Sequence, residues 1–239
     1  MFDDRTMLVT GGSGLLGTAL KKIFPNALFP SEEEFNVTDF QQMQTYLDGK
    51  TIHTIFHGGA FTSPPKIDQD PVKAIEVNII GTSNMVKLAL KHDARLIYVC
   101  TDYVFKGDVG NYKEDDPVFP VNKYAWSKLG GECAVRLYDK SLIIRTTFGP
   151  DIFPYEKAFT DQWTSRECVS KTAAMMAELI KTDQTGVVHV GGHRKSVYDY
   201  ATSLDPSKEI GKISINDITF KVPVDTSLNT EFYQKLISK

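Results

Sequence analysis

Cysteine is scarce in this chain of 239 residues and is poorly placed for chemistry. Cys100, Cys133 and Cys168 are odd in number, widely spaced and form no Cys-x-x-Cys pair, which argues against a disulfide framework or a zinc knuckle and for reduced thiols. Positive charge is not in excess either. With a formal net charge of -3, the chain has no broad basic face to offer a nucleic acid. No apolar run approaches the length needed to span a bilayer, and Met-Phe-Asp-Asp-Arg at the start lacks an apolar leader, so no membrane association and a cytoplasmic setting are expected. Low-complexity tracts are missing as well. The 41% hydrophobic and 24% charged content is that of a folded globule able to bury a full core without staples.

What the sequence does contain is alternation. Short apolar runs at Met7 to Thr10, Asn26 to Phe29, Thr51 to His57, Leu96 to Cys100, Leu142 to Arg145 and Val187 to Val190 read as strands. Helical patterns lie between them. One follows Gly17, one opens at Asn36 to Asp39 with Thr38 or Asp39 as its cap, and one runs from Asp70 through Leu90. Two more extend from Tyr124 to Leu137 and from Thr172 to Ile180. This order predicts an α/β protein: a Rossmann-type doubly wound parallel sheet with a small C-terminal substrate-binding region. His53 and His57 fall on one strand, about 13 Å apart along the chain, so they read as buried or edge residues and no metal site is expected. Asn78 interrupts an apolar pattern. It reads either as a helix-bending or water-binding residue or as an exposed position.

Two stretches carry chemistry. Met7-Leu8-Val9-Thr10 runs directly into Gly11-Gly12-Ser13-Gly14-Leu15-Leu16-Gly17 and then into a helix. Glycines at that spacing allow a tight turn and a close approach to a pyrophosphate, and the helix start offers free N–H groups to the anion. A dinucleotide site follows. About twenty residues on, where an acid meets the adenosine ribose, stand Ser31 and Glu32, Glu33 and Glu34 with no arginine nearby, so NADH and NADPH both remain open as the cofactor. The second stretch runs from Thr101 to Lys128. Thr101 ends a strand, where ligands bind in open α/β sheets. Tyr124 and Lys128, four residues apart, share one helical face. A neighbouring ammonium is expected to lower the phenol's pKa, making Tyr124 a proton donor to a carbonyl.

Thr10 to Gly17, Thr101-Asp102-Tyr103-Val104-Phe105, Asp115-Asp116-Pro117 and Tyr124-Ala125-Trp126-Ser127-Lys128-Leu129-Gly130-Gly131-Glu132 together resemble the extended short-chain dehydrogenase/reductases. Within them the chain is most similar to the dTDP-4-dehydrorhamnose reductase family. The resemblance implies reduction of a 4-keto sugar carried on a nucleoside diphosphate, with Thr101, Tyr124 and Lys128 catalytic. It implies that Gly11, Gly14, Leu15, Leu16, Gly17, Asn36, Val37, Gly58, Gly59, Ala60, Tyr124 and Lys128 meet the dinucleotide, and that Thr62, Thr101, Tyr103 and Tyr124 meet the substrate. Residues 1–150 would form the NAD(P)-binding domain and 151–239 the substrate region, with 172–190 returning to the sheet. A homodimer remains an open assembly.

The chain departs from that pattern after Gly149-Pro150, where only Asp151 to Thr160 stand before Asp161-Gln162, and where Trp163 to Cys168 lacks the Pro-Thr of the family. Two other readings stand beside this one, the first of them motivated by the departures. One is a non-catalytic NAD(P)-binding regulatory subunit resembling the β subunit of methionine adenosyltransferase. The other is a sugar-nucleotide epimerase.

Overall fold

A computed structural model describes residues 2–218 and 222–238. Five parallel strands form the central sheet: β1 (Met7–Thr10), β2 (Thr54–His57), β3 (Arg95–Thr101), β4 (Ser141–Thr146) and β5 (Gly186–Val190), paired in that order. Register runs from Met7 opposite Thr54 to Thr146 opposite Val190. The strands are buried on both faces, as a covered parallel sheet requires.

Alternation along each strand divides the core in two. Leu8, Ile55, Leu96, Tyr98 and Ile143 point to one side, against Met43 and Leu47 of helix α2 (Phe40–Leu47) and Met85 and Leu88 of α3 (Thr82–His92). Met7, Val9, Phe56, Ile97 and Ile144 point to the other, against Leu16 and Leu20 of α1 (Leu15–Ile23). That second layer also holds Ala173 and Met176 of a helix at Val169–Ile180. Each fully buried aliphatic side chain in these layers is worth roughly 1.5–3 kcal/mol.

The strand expected at Asn26 to Phe29 is reduced to a single bridge between Leu28 and Leu8. Its two backbone hydrogen bonds, from Val9 N to Leu28 O and from Leu28 N to Met7 O, are both 2.8 Å. Pro25 and Pro30 bound the segment, and a proline has no N–H for the ladder. The helical pattern from Asp70 is real but uneven. Pro71–Ala74 is α-helical, Ile75–Gly81 widens into a π-helical turn, and α3 follows.

That wide turn explains Asn78, which is fully buried. Its side chain accepts from Phe61 N (2.8 Å) and donates to Phe61 O (2.9 Å) and to Ser127 Oγ (2.8 Å). Helix α4 (Lys123–Val135) is capped by Asn122, whose side chain accepts from Ala125 N at 2.8 Å. Gly131 lets α4 come close: a Cβ there would lie 2.6 Å from Asn78 O and 2.7 Å from the Tyr98 hydroxyl.

After β4 the chain leaves the sheet. Residues 150–168 contain no helix among the described residues, and Trp163–Thr164 pairs antiparallel with Lys195–Ser196. Residues 222–228 cross the same region, with Trp163 N bonded to Val224 O at 2.8 Å. No helix among the described residues is long and apolar enough to cross a membrane.

Candidate active site

A cleft of about 690 Å³ opens beyond the carboxyl ends of β1 to β4, the place where open parallel sheets bind ligands. Every site residue expected from the sequence lines it. Gly11, Gly14, Leu15, Leu16 and Gly17 come from the first turn, Asn36 and Val37 from the segment before α2, and Gly58, Gly59, Ala60 and Thr62 from the loop after β2. Thr101 ends β3 and Tyr103 follows it, and Tyr124 and Lys128 come from α4.

The glycine turn fits a dinucleotide on two counts. Gly11 has φ +77, and a Cβ there would lie 2.8 Å from Gly59 N, while a Cβ at Gly17 would strike Gly11 O. The cradle therefore exists only as glycine. Helix α1 starts behind Gly14 with no side-chain cap, leaving N–H groups for an anion. A third observation lies across the cleft, where the Thr146 hydroxyl is buried without a hydrogen-bond partner among the described residues. A ligand amide or hydroxyl would satisfy it.

His57 braces this turn from behind. Its Nδ1 lies 2.8 Å from Thr10 Oγ1 and its Nε2 3.0 Å from Thr82 Oγ1. Because Thr82 donates to Asn78 O and Thr10 Oγ1 accepts from Gly59 N, the consistent arrangement has His57 donating from Nε2 and accepting at Nδ1. Burial, and then the charge of Lys128, push its pKa down to about 3. His57 is a neutral structural brace, and His53 is exposed.

The electrostatics of Tyr124 and Lys128 reverse the expectation drawn from their spacing. Burial raises the Tyr124 pKa, with further upward contributions from Cys100 and Asp102 that the neighbouring Thr101 hydroxyl only partly offsets. The Lys128 ammonium sits over the Tyr98 ring, 4.2 Å from its centroid. Burial takes the Lys128 pKa down to about 8, against smaller upward effects of Cys100 and Glu132. The phenol is therefore held protonated, which is the form a proton donor needs. The first cause is desolvation, and the Lys128 ammonium is not among the groups that shift the phenol.

Behind this pair lies a buried ion pair. Glu132, one turn beyond Lys128, accepts from Arg145 Nη2 at 2.7 Å and Nε at 3.1 Å. Both side chains are essentially inaccessible to solvent. Arg145 also donates to Glu114 O at 3.2 Å and lies over the Phe105 ring. Burial pushes the Glu132 carboxyl up, but Arg145 and Arg136 outweigh it and hold it below the ordinary range.

Two residues lining the cleft escaped the sequence reading as site members. Asp102 is buried and accepts from Thr226 Oγ1 at 2.7 Å, a partner 124 positions away. Arg166 brings a cation to the cleft and donates to Thr147 Oγ1 at 3.4 Å. The only signal for Arg166 was its place in the stretch that departs from the family pattern. Asp102 stood inside a quoted motif with nothing to mark it as functional.

Residues 5–150 match the family described as RmlD substrate binding domain. The dTDP-4-dehydrorhamnose reductase of Aggregatibacter actinomycetemcomitans is 32% identical over 152 residues, 60% of this chain and 52% of that protein. Methionine adenosyltransferase 2 subunit beta of Pongo abelii is 34% identical over 143 residues, covering 55% of this chain and 43% of its own length. The matches thus span about half the length of these relatives. Among solved structures, a hypothetical dTDP-4-dehydrorhamnose reductase of Sulfolobus tokodaii superposes with a TM-score of 0.84 at 28% identity, covering 98% of this chain and 95% of that one.

Proposed function

Since the chain belongs to the RmlD substrate binding domain family, we propose that it is an NAD(P)H-dependent reductase of a nucleotide-activated 4-keto-6-deoxysugar, serving deoxysugar precursor synthesis in the cytoplasm. The observation that carries this reading is that Thr101, Tyr124 and Lys128 line one cleft together with the glycine cradle. In this reading residues 1–150 hold the dinucleotide and 151–239 build the sugar side, with 172–190 returning to the sheet as a covering helix and β5, and a homodimer is the working assembly.

A bound nicotinamide dinucleotide supplies the hydride. The protonated Tyr124 phenol gives its proton to the keto oxygen, and Thr101 hydrogen-bonds that same oxygen. Lys128, with a pKa near the working range at about 8, favours the phenolate that Tyr124 leaves behind and holds the nicotinamide ribose. Asn36 and Val37 take the adenine, Thr62 and Tyr103 face the sugar, and Arg166 supplies a positive charge suited to a diphosphate. Glu32 lines the cleft beside Pro30 and Asn36 with no arginine among the lining residues there. A 2'-phosphate at that end would meet a carboxylate, so NADH is the favoured donor.

The test is cofactor oxidation, followed by absorbance, with a panel of nucleoside-diphosphate 4-keto sugars and with NADH and NADPH in parallel. Turnover with one of the panel, faster with NADH, is the expected result. Tight cofactor binding without turnover, together with a stoichiometric co-purifying protein, would favour a regulatory subunit instead. Interconversion of sugar epimers with no net cofactor oxidation would point to an epimerase.

A further inference from the structure

We propose that Asp102 is a positioning residue whose protonation turns the single hydroxyl hydrogen of Thr101 from the protein toward the substrate's keto oxygen. The proposal rests on the reductase reading in one respect, that Thr101 addresses that oxygen. Its physical basis is a count of donors. Thr101 Oγ1 lies 3.1 Å from Asp102 Oδ1 and accepts from Tyr103 N at 3.2 Å. Asp102 Oδ2 accepts from Thr226 Oγ1 at 2.7 Å.

An ionised carboxylate only accepts hydrogen bonds. With Asp102 charged, the one Thr101 proton must point at Oδ1, and the Thr101 oxygen presents a lone pair to the cleft. A ketone oxygen also only accepts. The two would then face each other without a hydrogen between them. With Asp102 protonated, its own O–H donates to Thr101 Oγ1, Thr226 still donates to Oδ2, and the Thr101 hydrogen is released toward the cleft beside the Tyr124 phenol. The switch takes up one proton from solvent, which stays on Asp102, while the Thr101 and Thr226 hydroxyls each keep their own hydrogen. Asp102 supplies the hydrogen bond that Thr101 gives up.

The surroundings support a carboxyl able to make that switch. Asp102 is 2% exposed, and burial raises its pKa to about 6, against the opposing effects of Thr226, Arg166 and Thr101. Among the described residues, the titratable and charged groups acting on it from each packed element are few. They are Tyr103 of its own turn, Tyr124 of α4, and Arg166 of the segment before Val169. The C-terminal segment presents the uncharged Thr226. The Lys128 ammonium lies over the Tyr98 ring instead.

The experiment is the pH dependence of kcat/KM, which reports the free protein, and of kcat, which reports the complex. For a single group titrating near pH 6, kcat/KM falls about tenfold between about pH 5 and about pH 7. The same limb should lie at higher pH in kcat, because a bound ketone favours protonated Asp102. Asp102→Asn, whose amide donates to Thr101 and accepts from Thr226 at every pH, is expected to lose that limb. A limb that survives in D102N, or no limb near pH 6 in the wild-type chain, overturns the proposal. If no keto sugar is turned over, the reductase reading fails separately and a second measurement still decides. The Asp102 carboxyl is followed by carbon-13 NMR, with D102N assigning the signal. Thr101→Val should raise its pKa, because the ionised form loses a donor. An unchanged titration overturns the proposal whatever the substrate.

Discussion

Tyr124→Phe should lower kcat on a keto-sugar nucleotide by about 100-fold or more, the scale of a general acid in a carbonyl reduction, while leaving cofactor affinity within a few-fold. The change removes one oxygen and keeps the ring. Burial holds that phenol protonated, so under the proposed function the wild-type side chain would meet the ketone carrying the proton the product alkoxide needs. In the variant, Thr101 would, on the same proposal, still hydrogen-bond the oxygen but would not protonate it. The glycine cradle, formed by Gly11, Gly14 and Gly17, is untouched. Steady-state kinetics alongside a cofactor titration separate the two effects. A loss of only a few-fold would mean that another group delivers the proton.

Glu132→Ala should cost about 3–5 kcal/mol of stability, because it leaves a buried guanidinium without its anion. Arg145 and Glu132 have side chains 2% and 0% exposed, so water cannot take the place of the missing carboxylate. For a chain of this length such a loss lowers Tm by on the order of 10 °C. Arg136 offers the internal control. It binds the same carboxylate at 2.8 Å, but its side chain is 48% exposed, and Arg136→Ala should cost under about 1 kcal/mol. Replacing Glu132 and Arg145 together by apolar residues should cost less than Glu132→Ala alone, since no charge is then stranded. Chemical denaturation of the three variants checks the ordering. Glu132→Ala lying within about 1 kcal/mol of the wild type would show that Arg145 finds another partner.

Much of this site was legible in the sequence for a physical reason. Strand ends and the glycine turn are local signals, and in a parallel α/β sheet the carboxyl ends of successive strands meet on one edge. Thr101, Gly58 and Gly11, far apart in the chain, were therefore bound to share a cleft once each was placed at a strand end. Tyr124 and Lys128 were placed by helical spacing in the same way. The failures are equally physical. Spacing conveys that an ammonium is near a phenol but not how dry the site is, and here desolvation reversed the expected shift of Tyr124.

Asn78 could be called polar but not buried until the wide turn at Ile75–Gly81 was seen to aim its amide at Phe61 and Ser127. Asp102 was silent because its partner Thr226 is reached only through the tertiary path of the C-terminal segment. The run from Asn26 to Phe29 had strand character, yet the prolines on either side left room for one bridge.

The most direct test of the central claim follows the hydride itself. The wild-type chain is incubated with a nucleoside-diphosphate 4-keto-6-deoxysugar and NADH carrying deuterium at its transferable position, and the product is read by NMR. Deuterium at C4 of the reduced sugar is the expected result. Cofactor bound to saturation with the keto sugar returned unlabelled would contradict the account.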